Sequence, residues 1–235
     1  MKVAIVAKTR RGHGACVGGI TFDGRSVRLE AANAARNERA GLEFNIGDVW
    51  EVDARPAPRL LPPHVENVIV RAKRKLPQQI DPVCLVNQHM PPVVGNPTLL
   101  YDGLVQCTGG GVLYIAERTG IPAFSTLFWR PDQDLTRDEQ GMRLRYRYPA
   151  RPGLPNSRRP GLPNSSCTLT FVGFQEPVKL IPAGTLLRVS LAHWWRPADR
   201  PDDEPRCYVQ LSGWFGLEMR CQSVAVRKNP VAMSR

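Results

Sequence analysis

This chain is short of the side chains that chemistry usually needs. Only four histidines occur in 235 residues, His13, His64, His89 and His193, with no HxH or HExxH spacing among them. That removes the common zinc-hydrolase signatures. The six cysteines, Cys16, Cys84, Cys107, Cys167, Cys207 and Cys221, are scattered and form no CxxC pair. A structural zinc site therefore has no paired thiolates to build on. No GxSxG elbow, GxxxxGK[ST] loop or GxGxxG fingerprint is present, so serine-hydrolase, P-loop and dinucleotide-binding chemistry lack a signature. The acidic group Asp199, Asp202, Asp203 and Glu204 sits among Pro197, Pro201 and Pro205 and reads as a solvated turn. No catalytic residue, metal ligand or cofactor is assigned.

Long apolar runs are missing too. No stretch approaches the roughly 20 residues that a membrane-spanning helix requires. Residues 3–7 are apolar but lead straight into Lys8, Arg10 and Arg11, which reads as a first strand and not a leader. A cytoplasmic protein with reduced thiols and no membrane partner is the expectation. Negative charge is scarce: 21 Asp and Glu stand against 32 Lys and Arg, a net charge of +11. Such a surplus favours phosphate backbones or anionic surfaces.

Proline and glycine are plentiful. The 22 prolines and 20 glycines cut the chain into short runs that suit strands and turns better than long helices. Residues 2–9 alternate loosely, with Val3, Ile5 and Ala7 on one side. Residues 16–30 read as two strands around Asp23-Gly24, a hairpin signal, with Val27 and Leu29 facing in and Arg28 and Glu30 facing out. Residues 49–52 and 65–76 are further strands. In the latter, Arg71, Lys73 and Lys75 fall on one face. Four or five short strands in residues 1–76 fit a small Greek-key barrel such as an OB-fold, with an SH3-like barrel as the rival. Residues 77–97 read as a proline-rich linker with a helical turn near 83–88.

The second half repeats the style. Strands are expected at 104–107, 112–116 and 127–129, with Thr108-Gly109-Gly110-Gly111 as a bulge or sharp bend. Residues 132–141 are polar and read as a turn or helical insertion. Then comes Arg143-Leu144-Arg145-Tyr146-Arg147-Tyr148, which places Arg143, Arg145 and Arg147 on one side of a strand and the leucine and tyrosines on the other. A row of guanidinium groups at every second position suits a polyanion lying across a sheet. The heptad RPGLPNS at 151–157 returns at 159–165, and from 143 to 163 there are six arginines and no carboxylate. Two copies are too few for a solenoid. This insertion, 149–166, reads as a flexible hairpin carrying Arg158 and Arg159. Further strands are expected at 167–174, 186–195, 207–215 and 223–226, with a tail over 228–235. Of the adjacent Trp194 and Trp195, alternation exposes one. Trp194, on the side of Arg188, is the expected stacking face, with Trp214 as a second. Trp50 and Trp129 are expected in the core.

Several of these stretches resemble one family. Lys8-Thr9-Arg10 followed by residues 16–20, Asp23-Gly24-Arg25-Ser26-Val27-Arg28-Leu29, Gly47-Asp48-Val49-Trp50-Glu51-Val52, Pro62-Pro63-His64-Val65-Glu66 and Gln210-Leu211-Ser212-Gly213-Trp214 together resemble bacterial dual OB-containing proteins over nearly the whole chain. The resemblance implies two OB units and an accessory nucleic-acid-binding role, alone or fused to helicase-like and other enzymes, often in genome (antiviral) defence. The duplicated extension departs from that pattern.

The expectation is thus an all-β protein of two small OB-like Greek-key barrels joined by a proline-rich linker. The first spans 1–76 and the second 98–227. It would bind DNA or RNA, single strands favoured, in a genome-defence or DNA-processing assembly with a helicase or nuclease partner. Backbone contacts would come from Lys8, Arg10, Arg11, Arg71, Lys73, Lys75, Arg143, Arg145, Arg147, Arg158 and Arg159, with stacking from Trp194 and Trp214. The alternatives are a metal-independent endoribonuclease processing guide RNA through His13 or His64, and a structural subunit of a ribonucleoprotein.

Overall fold

A computed structural model describes residues 1–11, 13–31, 41–139, 143–150 and 166–217. Five strands open the chain: β1 (Lys2–Arg11), β2 (Gly14–Thr21), β3 (Ser26–Ala31), β4 (Asp48–Pro56) and β5 (Asn67–Gln79). They close into a barrel in the order β1-β2-β3-β5-β4, with β4 returning to β1. All neighbours are antiparallel except β3 and β5, which run parallel. This is the five-stranded Greek-key connectivity of an OB-fold, and it removes the SH3-like alternative. Val3, Ile5, Val17, Val27, Leu29, Phe44, Trp50 and Val52 fill the interior.

The connector carries α1 (Pro82–His89). Asp81 caps it by accepting from the Val83 N–H at 2.9 Å, and Pro82 occupies the first turn, where its missing donor costs nothing. β6 (Val93–Gly95), the β7 (Gln106–Cys107) and β8 (Leu113–Ala116) hairpin, β9 (Thr126–Pro131), β10 (Leu135–Asp138), β11 (Arg145–Tyr148), β12 (Cys167–Phe171), β13 (Leu180–Ile181), β14 (Leu186–Leu191) and β15 (Arg206–Phe215) follow.

The second sheet repeats the first barrel's connectivity once β9 and β10 are read as one broken strand. β9 pairs with β14 and β10 pairs with β11, while only residues 132–134 separate them. The order is then β9/β10, β11, β12, β15, β14 and back to β9. The parallel contact of β12 with β15 matches that of β3 with β5. The expected polar turn or helix at 132–141 is corrected over its middle. Leu135 is wholly buried and β10 is paired on both sides, by β11 and β13, so strand pairing outweighs the local polarity. The glycine run at 108–111 turns the β7–β8 hairpin.

A third apolar cluster lies between the barrels. Ala4 and Val6 of β1, Ile20, Val49, and Leu85 and Val86 of α1 pack with Phe128, Leu186 and Phe215 of the second barrel. Each large side chain removed from water here contributes about 1.5–3 kcal/mol. β1 is therefore buried on both faces from Val3 to Ala7, which explains its loose alternation. β14 behaves alike: Leu187, Val189 and Leu191 enter the second core while Leu186 enters the seam. The end of β1 also hydrogen-bonds across the seam, where the Arg10 N–H donates to Val172 O at 2.8 Å and Thr9 bridges Gly173.

Candidate functional site

Part of the outer face of the first barrel is buried against the second. Arg28 on β3 points away from Val27 and Leu29, as the alternation requires, but it points into the seam. One Nη donates to Ser125 Oγ at 3.1 Å and the other to His64 Nδ1 at 3.2 Å. A guanidinium only donates, so Nδ1 accepts and the His64 proton sits on Nε2, which donates to Ala192 O at 3.2 Å. Both ring nitrogens are committed and the imidazole is neutral. Burial, then the charges of Arg28 and His193, push its pKa down to about 3. The His193 ring lies 4.3 Å away, and its pKa is lowered by burial and by Arg28 and Arg11. The histidines are far apart in sequence, yet the fold brings these two together.

Glu66 is the carboxylate of this junction. It accepts from the Ser125 N–H at 2.7 Å, from Ser125 Oγ and from Thr126 Oγ1. Beside it lies Arg188 of β14, 2 % exposed. Its Nη2 reaches Ser26 Oγ at 3.4 Å and its guanidinium covers the Phe128 ring at 5.0 Å. Burial lowers its pKa to about 10, opposed by Glu66, so it remains charged at neutral pH. Its Nη1 has no partner among the described residues. A buried donor left unmade costs about 1–3 kcal/mol.

Of these groups Ser26, Arg28, Glu66, Thr126, Arg188 and His193 line a cavity of about 220 Å³ between the barrels. Arg10, Arg11, Arg28 and Arg188 line it, and among the described lining residues Glu66 is the one carboxylate. Arg10 also donates to Gly173 O. Beside the cavity Phe174 is 41 % exposed, with Lys8 Nζ at 5.2 Å and the Arg10 guanidinium at 5.4 Å from its ring. Two glycines permit the close approach. A Cβ on Gly18 would lie 3.1 Å from Arg188 Nη2, and one on Gly173 would lie 2.6 Å from Ser212 O.

A family model for a dual OB-containing domain matches residues 1–214. The chain belongs to the dual OB-containing domain family. No curated protein matches it. Two solved structures are similar to it: the p204 HINb domain, at 9 % identity over 90 % of this chain and 95 % of that one with a TM-score of 0.33, and a murine DNA binding protein bound with double-stranded DNA, at 9 % identity over 90 % and 91 % with a TM-score of 0.30.

Of the cations expected from the sequence of this dual OB chain, Lys8, Arg10 and Arg11 lie together at the seam. Those of β5 face carboxylates instead. Arg71 pairs with Asp53 at 2.7 Å, Lys75 with the buried Asp48 at 2.8 Å, and Lys73 with Glu43 while covering Phe44 at 4.6 Å. Their partners come from β4 and residue 43, which β5 pairs with or overhangs. On β11 the alternation is as expected, with Tyr146 and Tyr148 buried. Arg147 is tied to Asp138 at 3.1 Å and to Ser166 Oγ at 3.0 Å, Arg145 is half-buried, and Arg143 is exposed just before the strand. Arg158 and Arg159 lie outside the described residues, as do the expected strand at 223–226 and the tail.

The tryptophans need correcting. Trp214 is 5 % exposed and stacks on Phe171 at 5.0 Å inside the second core, so it offers no face to a base. Trp194 is half-buried against that core, its Nε1 donating to Pro62 O at 2.8 Å. Trp195 is the exposed one, at 53 %. β14 ends at Leu191, so its alternation does not carry through to residues 194 and 195. Trp50 and Trp129 are in the cores as expected. Among the described residues, no group of three or more His, Cys, Asp or Glu side chains could hold a metal ion, and no helix is long and apolar enough to cross a membrane.

The sequence reading missed Arg28, Arg188, Glu66 and Phe174. Arg188 had a signal: a lone arginine inside the apolar strand Leu186–Leu191.

Proposed function

We propose that this dual OB protein binds nucleic acid, single strands favoured, along the seam between its barrels. The convergence of Arg10, Arg11, Arg28 and Arg188 from both barrels on one cavity, with Glu66 the one carboxylate among the described lining residues, carries this reading. Lys8, Arg10 and Arg11 form the basic approach, and Phe174, flanked by two cations, is the stacking platform. The exposed Trp195, bridged to Arg206 at the start of β15 and 6.1 Å from Tyr208, is a second aromatic face. The role is that of an accessory module working beside a helicase or nuclease in genome defence or DNA processing, in a reducing cytoplasm where Cys16, Cys84, Cys107, Cys167 and Cys207 stay free. Cleavage through His64 is disfavoured, because both its nitrogens are already hydrogen-bonded and its pKa is pushed down to about 3, which leaves that ring no use as a base at neutral pH.

A salt titration against a fluorescent single-stranded oligonucleotide tests the reading. Affinity should fall steeply with salt, and Arg10→Ala with Arg11→Ala should flatten the log–log slope by about 0.7 for each phosphate that the protein no longer neutralises. Affinity that hardly responds to salt, or that is the same in the double variant, counts against it.

A further inference from the structure

The cavity is small for a site that would enclose a whole ligand. Its floor is Arg188, 2 % exposed, with Nη1 unpartnered among the described residues. Its volume of about 220 Å³ lies below the roughly 300–1,000 Å³ of pockets that enclose whole drug-sized ligands. That is room for one phosphate and part of its sugar.

Charge points the same way. Four guanidinium groups face one carboxylate among the described lining residues, a surplus larger than a single internal phosphodiester would neutralise. A phosphate monoester carries about −1.5 to −2 at neutral pH and three strong acceptor oxygens. Arginine forks match such oxygens in pairs. The hydroxyls of Ser190 and Ser212 share one hydrogen bond at 2.8 Å, which leaves one O–H of the pair to donate, and the His193 ring also lines the cavity.

We infer that the inter-barrel cavity is a receptor for a phosphate monoester, and that the group it takes is the phosphorylated end of a nucleic-acid strand lying along the seam. Arg188 meets the phosphate with its guanidinium fork, and Arg10 and Arg11 on the same lining add their charge. This rests on the nucleic-acid reading for the source of the phosphate, but the chemistry of the pocket stands without it. A free phosphate monoester would meet the same groups.

The test uses the full chain and one short single strand with four ends: 5′-phosphate, 3′-phosphate, and hydroxyl at either end. Binding is read by fluorescence anisotropy. In parallel, thermal unfolding is followed with inorganic phosphate or adenosine monophosphate. One phosphorylated end should bind about tenfold more tightly than its hydroxyl counterpart, and inorganic phosphate should compete that advantage away. In Arg188→Lys, which keeps the charge but loses the fork, the ratio between phosphorylated and hydroxyl ends should fall to near one. Arg11→Ala, at an exposed position that tolerates truncation, should lower the same ratio if Arg188→Lys does not fold. Arg25→Ala, on an exposed turn, should leave the ratio as it was.

If strands bind but phosphorylated and hydroxyl ends bind alike, the end-receptor inference falls while the nucleic-acid reading stands. If no strand binds, yet inorganic phosphate or adenosine monophosphate raises the midpoint in wild type and not in Arg188→Lys, the pocket chemistry is upheld, and both the strand as its source and the nucleic-acid reading fall. If neither strand nor phosphate has any effect, both fall.

Discussion

The imidazole of His64 accepts a hydrogen bond from Arg28 at 3.2 Å, so one barrel's cation fixes the tautomer of the ring that seals the seam. His64 titrates at about 3 in the folded state, below its ordinary 6.5. A depressed histidine favours folding while it stays neutral. Its contribution is complete above pH 6.5 and is lost as pH falls from 6.5 toward 3, by about 1.4 kcal/mol per unit at most. Urea unfolding at pH 7.5, 6 and 5 should show stability declining with acid. In His64→Gln that decline should be shallower, because the group that prefers to protonate in the unfolded chain is gone. Equal slopes in both proteins would mean that His64 is not held neutral by the fold.

Glu66 holds a network together without sitting in a simple ion pair. Glu66→Ala removes the acceptor of the Ser125 N–H and the carboxylate beside Arg28 and Arg188. It should cost about 3–5 kcal/mol, the scale of an uncompensated buried charge. The double variant with Arg188→Leu should cost less than the sum of the two singles. A double-mutant cycle by chemical denaturation measures this, and strict additivity would mean the two groups do not sense each other.

Gly173 is the place where the barrels touch backbone to backbone. A Cβ there meets Ser212 O at 2.6 Å and the Phe171 ring at 2.8 Å. Gly173→Ala should therefore destabilise by about 1–3 kcal/mol, whereas Gly184→Ala meets no neighbour and is disfavoured only by its φ of +75°. Comparing midpoints of the two variants separates steric overlap from backbone strain.

The aromatic residues divide by role. Trp214→Ala should cost about 3–5 kcal/mol in stability, because the ring packs on Phe171 and Tyr146. Phe174→Ala should leave the midpoint nearly unchanged and weaken oligonucleotide binding by about 1–3 kcal/mol. Anisotropy titration beside a thermal melt distinguishes them. Loss of stability in Phe174→Ala with intact binding would reverse the assignment.

The barrel strands were legible because short alternating runs between Gly and Pro clusters leave little choice of structure. Residues 143–148 are the clearest example, with both tyrosines buried as the pattern requires. The site was legible only in part. Alternation put Arg28 on the side away from the first core, correctly, but a period of two cannot say whether that side meets water or another barrel. The same limit hid Arg188, whose neighbours on its own face are seam residues contributed by distant segments. It also overvalued Arg71, Lys73 and Lys75, since cations on a strand look free until the partner strand supplies Asp53, Glu43 and Asp48. The tryptophans failed for a local reason: the strand stops before them.

The apolar seam of Phe128, Leu186 and Phe215 against β1 and α1 makes the molecule a jaw without a hinge. A strand bound as proposed would meet two barrels already packed on each other through this apolar seam. For the same reason the two halves are not interchangeable cassettes. Cutting the connector would leave each with a wet, greasy flank, and recombining either half with a foreign partner would require that flank to be rebuilt first.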